Sequence, residues 1–98
     1  MKQIKLIDLS NYDEKDLTLK NITGSVLTVA TSGSPVITIK GLDADLEDEY
    51  TLVVIDMSNF GKLNQIEGAG VFMVPISGLD KVVLSVSGTG KIKIKEMD

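Results

Sequence analysis

The chain has 98 residues, with fourteen acidic side chains, ten basic ones and a net charge of −4. This length fits one domain, residues 1–98, and a hydrophobic content of 43% is that of a folded protein. Cysteine, histidine, tryptophan and arginine are all absent. Disulfides, thiolate metal sites and catalytic sites built on cysteine or histidine are therefore excluded. We expect a protein that is not an enzyme and that carries no cofactor.

The charge balance also restricts the partners. An acidic chain without arginine and with only two tyrosines and two phenylalanines lacks the basic patches and stacking rings of nucleic-acid binders. The first residues reach Asp8 without the apolar run of a signal peptide, and no stretch approaches the ~18 apolar residues of a membrane span. We expect no nucleic-acid or membrane partner, and synthesis in the cytoplasm.

The first 40 residues predict short strands separated by turns. In 2–9 the apolar alternation slips by one residue, which indicates a bulge or a strand that is covered on both faces. A polar turn is predicted over 11–16 and a Ser/Gly/Pro turn over 32–35. The predicted strands between them are 17–20, 26–31 and 36–40.

The acidic segment from Asp43 to Glu49 is predicted to be a loop or one helical turn, since an isolated helix of this length is marginal. Its alternating carboxylates suit a hard cation such as calcium. An EF-hand starting at Asp43 would need glycine sixth and glutamate twelfth, but Asp48 and Val54 stand there. A solvated acidic loop is the favoured interpretation, a looser calcium site stays open, and we assign no metal ligand.

The second half of the chain contains two continuous apolar runs, 50–55 and 71–74. Each predicts a strand that is buried on both faces, or on one face and an interface. The segment 56–70 reads as a loop and 77–80 as a turn. Strands are then predicted at 82–86 and 92–94, joined by a tight turn over 87–90. The segments 27–40 and 84–95 therefore resemble each other as two hairpins, each with a Ser/Gly turn.

About eight short strands with turn residues between them predict an all-β domain, an antiparallel β-sandwich of jelly-roll-like type. No alternation of strands and helices indicates a parallel sheet.

The predicted contact surface comprises Phe60, Leu63, Phe72 and Met73. The apolar strands exceed what one core needs, and phenylalanine and methionine are enriched at interfaces. Phe72 and Met73 point to opposite faces, so one of the two can lie at a subunit contact. Core placement is predicted for Val71 and Val74, which flank that pair.

The lysines at positions 91, 93 and 95 project from one face of the last strand. We interpret them as protection of a terminal strand against edge-to-edge pairing. The alternative is a basic stripe for an anionic partner.

The stretch from Gly70 to Ser87, followed by 88–94, resembles small β-sandwich proteins of tailed bacteriophages. In these, an apolar strand, a Ser-Gly turn, a β-branched strand, a glycine turn and a terminal strand follow one another. Such domains occur in capsid decoration, head-fibre and related virion proteins. The resemblance, over roughly the last quarter of the chain, implies a virion structural protein that self-associates, for example as a trimer, and contacts other virion proteins.

The alternative function is a β-sandwich module that binds carbohydrate or another surface polymer. Its sugar-stacking platform would have to come from the four aromatic residues, Tyr12, Tyr50, Phe60 and Phe72.

Overall fold

The computed structural model describes residues 4–43 and 45–97, apart from the side chains of residues 11–13. In this part of the chain every regular element is a strand. The strands are β1 (Ile4–Lys20), β2 (Val26–Asp43), β3 (Asp48–Thr51), β4 (Val54–Asp56), β5 (Lys62–Leu63), β6 (Ile66–Glu67), β7 (Gly70–Pro75) and β8 (Lys81–Met97). They form one sheet in the order β1-β8-β2-β7-β4-β5, with β3 and β6 paired to β2. All described pairings are antiparallel, so the predicted all-β antiparallel class is confirmed.

Three strands are much longer than predicted. β1, β2 and β8 contain 17, 18 and 17 residues, and β2 pairs with β8 from Val26–Met97 to Leu42–Lys81. The prediction of two hairpins, at 27–40 and 84–95, was therefore wrong. Each of these segments is one continuous strand, and the two strands pair with each other.

Glycines lie where these long strands bend. Gly33 pairs directly with Gly90, and both have positive φ angles, 83° and 135°. A Cβ on Gly33 would lie 2.8 Å from Cα of Gly90, and a Cβ on Gly90 would clash with the carbonyl oxygen of Ser32. Only glycine permits both the φ angles and the close approach of the backbones. The Ser/Gly segments are thus bends within strands and not the turns that the sequence predicts.

β1 follows the bend by means of a bulge. Leu9 pairs with Gly90 and Asp13 with Gly88, so residues 10–12 lie opposite Thr89 alone. The two extra residues preserve the alternation, and Leu9 and Leu19 both face the core. The predicted slip within 2–9 is not observed over 4–9, and the polar turn predicted at 11–16 belongs to β1.

The bend divides the long strands into two half-sheets. The first half-sheet contains 4–9 of β1, 26–32 of β2, 91–97 of β8 and the whole of β7. The second contains 13–20 of β1, 35–43 of β2 and 81–88 of β8. Inward-facing residues of both halves belong to one hydrophobic cluster, which includes Leu27, Val29, Phe72, Val74, Ile92 and Ile94 from the first half and Leu19, Ile37, Ile39, Val82, Leu84 and Val86 from the second. Such a shared core is consistent with the predicted β-sandwich, while the sandwich and its jelly-roll detail stay a prediction.

The two continuous apolar runs differ from their prediction. The run 50–55 is split, because β3 ends at Thr51 and β4 begins at Val54, and only Val54 is buried in it. β7 alternates, so that Phe72 and Val74 face the core while Val71 is 49% exposed. The expected core placement was thus correct for Val74 and wrong for Val71.

A buried carboxylate anchors the end of β8. Glu96 is only 1% exposed, and its Oε2 accepts hydrogen bonds from the backbone N–H groups of Thr23 (3.0 Å) and Gly24 (2.5 Å). It also accepts one from the Thr23 hydroxyl at 3.3 Å. Glu96 therefore fixes the connection between β1 and β2 to the last strand.

Candidate interaction surfaces

The four residues predicted for the contact surface have different surroundings. Phe72 is 3% exposed and packs in the core, so its ring is not offered to a partner. Met73 is half-buried on the opposite side of β7, and Leu63 is half-buried on β5. Phe60 is 72% exposed. Their role in a contact stays a prediction, with Met73 and Phe60 as the side chains that reach the surface.

The outer face of the first half-sheet carries apolar residues on both sides of the lysine row. Leu6 pairs with Lys93, Lys93 with Ala30, and Ala30 with Val71. These four side chains form one row across β1, β8, β2 and β7, because directly opposite residues share a face. Leu6 is 78% exposed. The parallel row consists of Ile4, Lys95, Thr28 and Met73.

The position of β8 overturns the interpretation of its lysines. β8 pairs with β1 on one side and with β2 on the other along most of its length. It has no free edge at these residues, so Lys91, Lys93 and Lys95 do not protect one. The alternative, a basic stripe that faces an anionic partner, agrees with their place at the centre of the outer face.

A groove of about 440 Å³ runs over this face. We call it the Lys93 groove; its lining residues are Leu6, Ile7, Asp8, Ala30, Thr31, Ser32, Lys91, Ile92 and Lys93. The methylene stems of lysine extend an apolar floor while the ammonium groups stay in water. The groove can thus accept an apolar side chain that is flanked by carboxylates.

The loop between β4 and β5 presents Phe60 in a fixed conformation. The N–H of Phe60 donates to the carbonyl of Asp56 at 2.7 Å, and the N–H of Asp56 donates to the carbonyl of Gly61 at 2.9 Å. Phe60 has a φ of 57°, which is uncommon for a non-glycine residue. An exposed ring in a strained position is typical of a functional contact residue.

Asp56 reinforces the same loop. Its Oδ1 accepts the backbone N–H of Ser58 at 2.9 Å and the Ser58 hydroxyl at 2.8 Å. These hydrogen bonds, the backbone one first, hold the pKa of the Asp56 carboxyl below its ordinary value.

The acidic segment forms the turn of a hairpin between β2 and β3, and we call residues 45–49 the acidic turn. Oδ1 of Asp43 accepts the backbone N–H groups of Asp45 (2.9 Å) and Leu46 (3.4 Å). The N–H of Glu47 donates to the Asp43 carbonyl at 2.9 Å. Leu46 is 61% exposed, between Asp45 and Glu47. Ala44 lies outside the described residues.

The described part of the chain offers no preformed metal site. Within residues 4–43 and 45–97, no three acidic side chains form a group that could hold a metal ion. The carboxylate of Asp43, the first residue of the acidic segment, instead caps backbone N–H groups of the turn.

A second groove, of about 630 Å³, lies beside β5 and β6. Its polar lining residues are Asp56, Asn64, Gln65 and Glu67, and Leu63, Ala69 and Phe72 complete it. Carboxylates and amides can bind hydroxyl groups. Tyr50 and Phe60 are exposed but do not line this groove, and the side chain of Tyr12 lies outside the described residues.

These features define a small all-β protein with one bent sheet and several prominent surface features. No family model matches the chain, and no curated protein matches it in sequence. Its fold is similar to the crystal structure of the SPBc2 prophage-derived protein YomS. The TM-score is 0.67 at 19% identity, and the match covers 97% of this chain and 91% of that one. In the described residues no helix is long and apolar enough to cross a membrane.

Proposed function

We propose that this chain is a non-enzymatic structural protein of a bacteriophage or prophage virion. Within the virion it would act as a capsid decoration protein or a related head or tail accessory protein, through contacts with itself and with other virion proteins. The prophage origin of YomS, which shares the fold over almost the whole chain, supports the phage context. The resemblance of the last strands to phage β-sandwich proteins agrees with it.

The single observation that carries a contact function is the outer face of the first half-sheet. Ile4, Leu6 and Val71 expose 54%, 78% and 49% of their surface on this one face. Scattered apolar residues need no explanation, but apolar residues grouped on one rigid sheet face mark an interaction surface. Because the face belongs to long paired strands, little order has to be gained when a partner binds.

The test is the presence of the chain in particles. The gene is deleted from the phage, the chain is supplied in trans, and particles are purified on a density gradient. Quantitative mass spectrometry should find the chain at a constant copy number per particle. Leu6→Asp should lower that copy number, because it replaces the most exposed apolar side chain of the contact face with a carboxylate that loses its water when a partner docks.

Thr18→Asp is the matched control, because Thr18 is exposed on the second half-sheet. This variant should be incorporated like the original chain. Particles that form normally and contain none of the unmodified chain would contradict the proposed function.

One observation favours the second candidate, a module that binds carbohydrate or a surface polymer. The groove lined by Asp56, Asn64, Gln65 and Glu67 brings together side chains that can hydrogen-bond sugar hydroxyls. Binding of cell-surface polysaccharide that is lost in Asn64→Ala would support this function. Absence of binding in the unmodified chain would exclude it for the polymers tested.

A further inference from the structure

From the match in charge and apolar character between two surfaces, we propose that the Lys93 groove of one copy binds the acidic turn of a second copy. This inference rests on the proposed structural function and names one of its contacts. Leu46 would enter the apolar floor of the groove, and the carboxylates beside it would meet the ammonium groups of Lys91 and Lys93.

The groove supplies one half of the match. Leu6 and Ala30 flank Lys93 on the neighbouring strands, and all three line the groove. Lys91 adds a second positive charge along the same strand, and Asp8, which pairs with Lys91, adds one negative charge, so the lining keeps a net positive charge. An apolar centre with charges at its margin is the usual arrangement of a protein interface.

The acidic turn supplies the other half. Leu46 is exposed between Asp45 and Glu47, and Asp48 and Glu49 follow, all of them exposed. The hydrogen bonds from N–H groups of the turn to Asp43 hold this segment in one conformation. A turn that is ordered before binding loses little conformational entropy on docking.

The two surfaces belong to different half-sheets of one chain. Ala30 is on the first half of β2, whereas Asp43 ends the second half, beyond the bend. The contact therefore joins unlike surfaces of two copies, and repetition produces either a closed ring, such as a trimer, or a filament.

A second copy fits the groove better than other anionic partners do. The net charge of −4 acts against every anionic partner alike, but nucleic acids and anionic membranes do not offer an apolar side chain between carboxylates. The acidic turn has this pattern and is present on every copy at equal concentration. Since the paired charges are exposed, the association should weaken as salt concentration rises.

The experiment measures self-association by sedimentation and light scattering over a concentration series. The unmodified chain should form species larger than its 10.5 kDa monomer. Lys93→Glu and Glu47→Lys should each weaken association tenfold or more, because each places like charges opposite one another. The double variant, which exchanges the two charges, should recover most of the loss.

Lys15→Glu is the matched control. It makes the same charge change at an exposed lysine on the second half of β1, outside the groove, and should associate like the unmodified chain. Circular dichroism establishes that each variant is folded. A chain that stays monomeric at every concentration, or a double variant no better than the single ones, would overturn the proposed contact.

The self-association and particle experiments distinguish a failure of this contact from a failure of the proposed function. A chain that is monomeric in solution but present in purified particles would overturn the contact and retain the virion role. A chain that associates through these charges but is missing from particles would overturn the virion role and retain the contact.

Discussion

The bend at Gly90 can be tested by adding one methyl group. Gly90→Ala puts a Cβ where it clashes with the carbonyl oxygen of Ser32 and lies 3.2 Å from Cα of Gly33. Both are backbone atoms of a paired strand and cannot swing aside. The φ of 135° at Gly90 is also unfavourable for alanine. The conformational strain costs about 1–3 kcal/mol and the overpacking a further 1–3 kcal/mol or so.

Gly68→Ala separates these two contributions. Gly68 has a φ of 79°, and a Cβ there would have no heavy atom within 4 Å. This variant should lose only the conformational part, about 1 kcal/mol. The free energy of unfolding of Gly90→Ala should therefore fall about 1–5 kcal/mol further than that of Gly68→Ala.

Urea unfolding followed by circular dichroism measures both variants against the unmodified chain. Since ~1 kcal/mol shifts the melting temperature of a domain of this size by about 4–8 °C, thermal melts give an independent reading. Equal losses in the two variants would refute the close approach of β2 and β8 at the bend. They would instead favour the two separate hairpins that the sequence predicts.

Three further predictions concern other contacts. Glu96→Leu removes the acceptor of two backbone N–H groups and should lower the free energy of unfolding by about 2–4 kcal/mol. Glu96→Gln keeps an oxygen and should lower it less. Equal losses of the two variants in urea unfolding would contradict the role of Glu96 as acceptor. Phe60→Gly should raise the free energy of unfolding by about 1 kcal/mol, because glycine adopts the positive φ without strain, yet it should reduce incorporation into particles. Phe60→Ala should reduce incorporation without raising the free energy of unfolding. The pKa of the Asp56 carboxyl, measured by NMR, should lie below the ordinary value of an aspartate. Because its folded pKa is lowered, its stabilisation is present above the unfolded pKa and is lost as pH falls through the folded value. Ser58→Ala removes the hydroxyl but keeps the backbone N–H, so it should raise that pKa only part of the way. An unchanged pKa would contradict the contribution assigned to the hydroxyl.

The sequence predicts which residues are buried better than it predicts how strands are connected. Alternation places Ile37, Ile39, Leu84, Ile92 and Ile94 in the core, and all five are buried. This holds because the two-residue period of a strand does not depend on its partner.

The connections are mispredicted because glycine permits two outcomes. A tight turn and a bend within a strand both need positive φ, so Gly33 and Gly90 carry the same local signal in either case. Only the pairing of one glycine segment with the other, 57 positions along the chain, distinguishes the two. Such non-local pairing is not encoded in a window of ten residues.

The surface features also divide into those that are visible in the sequence and those that depend on strand pairing. The lysine row is visible in the sequence, but its meaning depends on whether β8 is an edge strand, and that is decided by β1 and β2 on its two sides. Glu96 was missed, although it continues the inward positions of Ile92 and Ile94 by the same alternation. A charged residue in an inward position indicates that hydrogen-bond donors are buried beside it, because an unpaired buried charge is costly.

The sequence does not decide which residues of the predicted contact surface reach the outside of the protein. Phenylalanine and methionine in a continuous apolar run do not reveal which side of β7 faces the core. The structure places Phe72 inside and Met73 outside, because the Leu27 and Val29 face of β2 is buried. Leu6 and Ala30 were not singled out, since their position beside Lys93 depends on pairing across three strands.

The central claim, that this chain is a virion structural protein, is tested most directly by its copy number in purified particles. The account predicts a fixed number of copies per particle that survives gradient purification and falls in Leu6→Asp but not in Thr18→Asp. Particles that are complete and infectious yet contain no copy of the chain would contradict it.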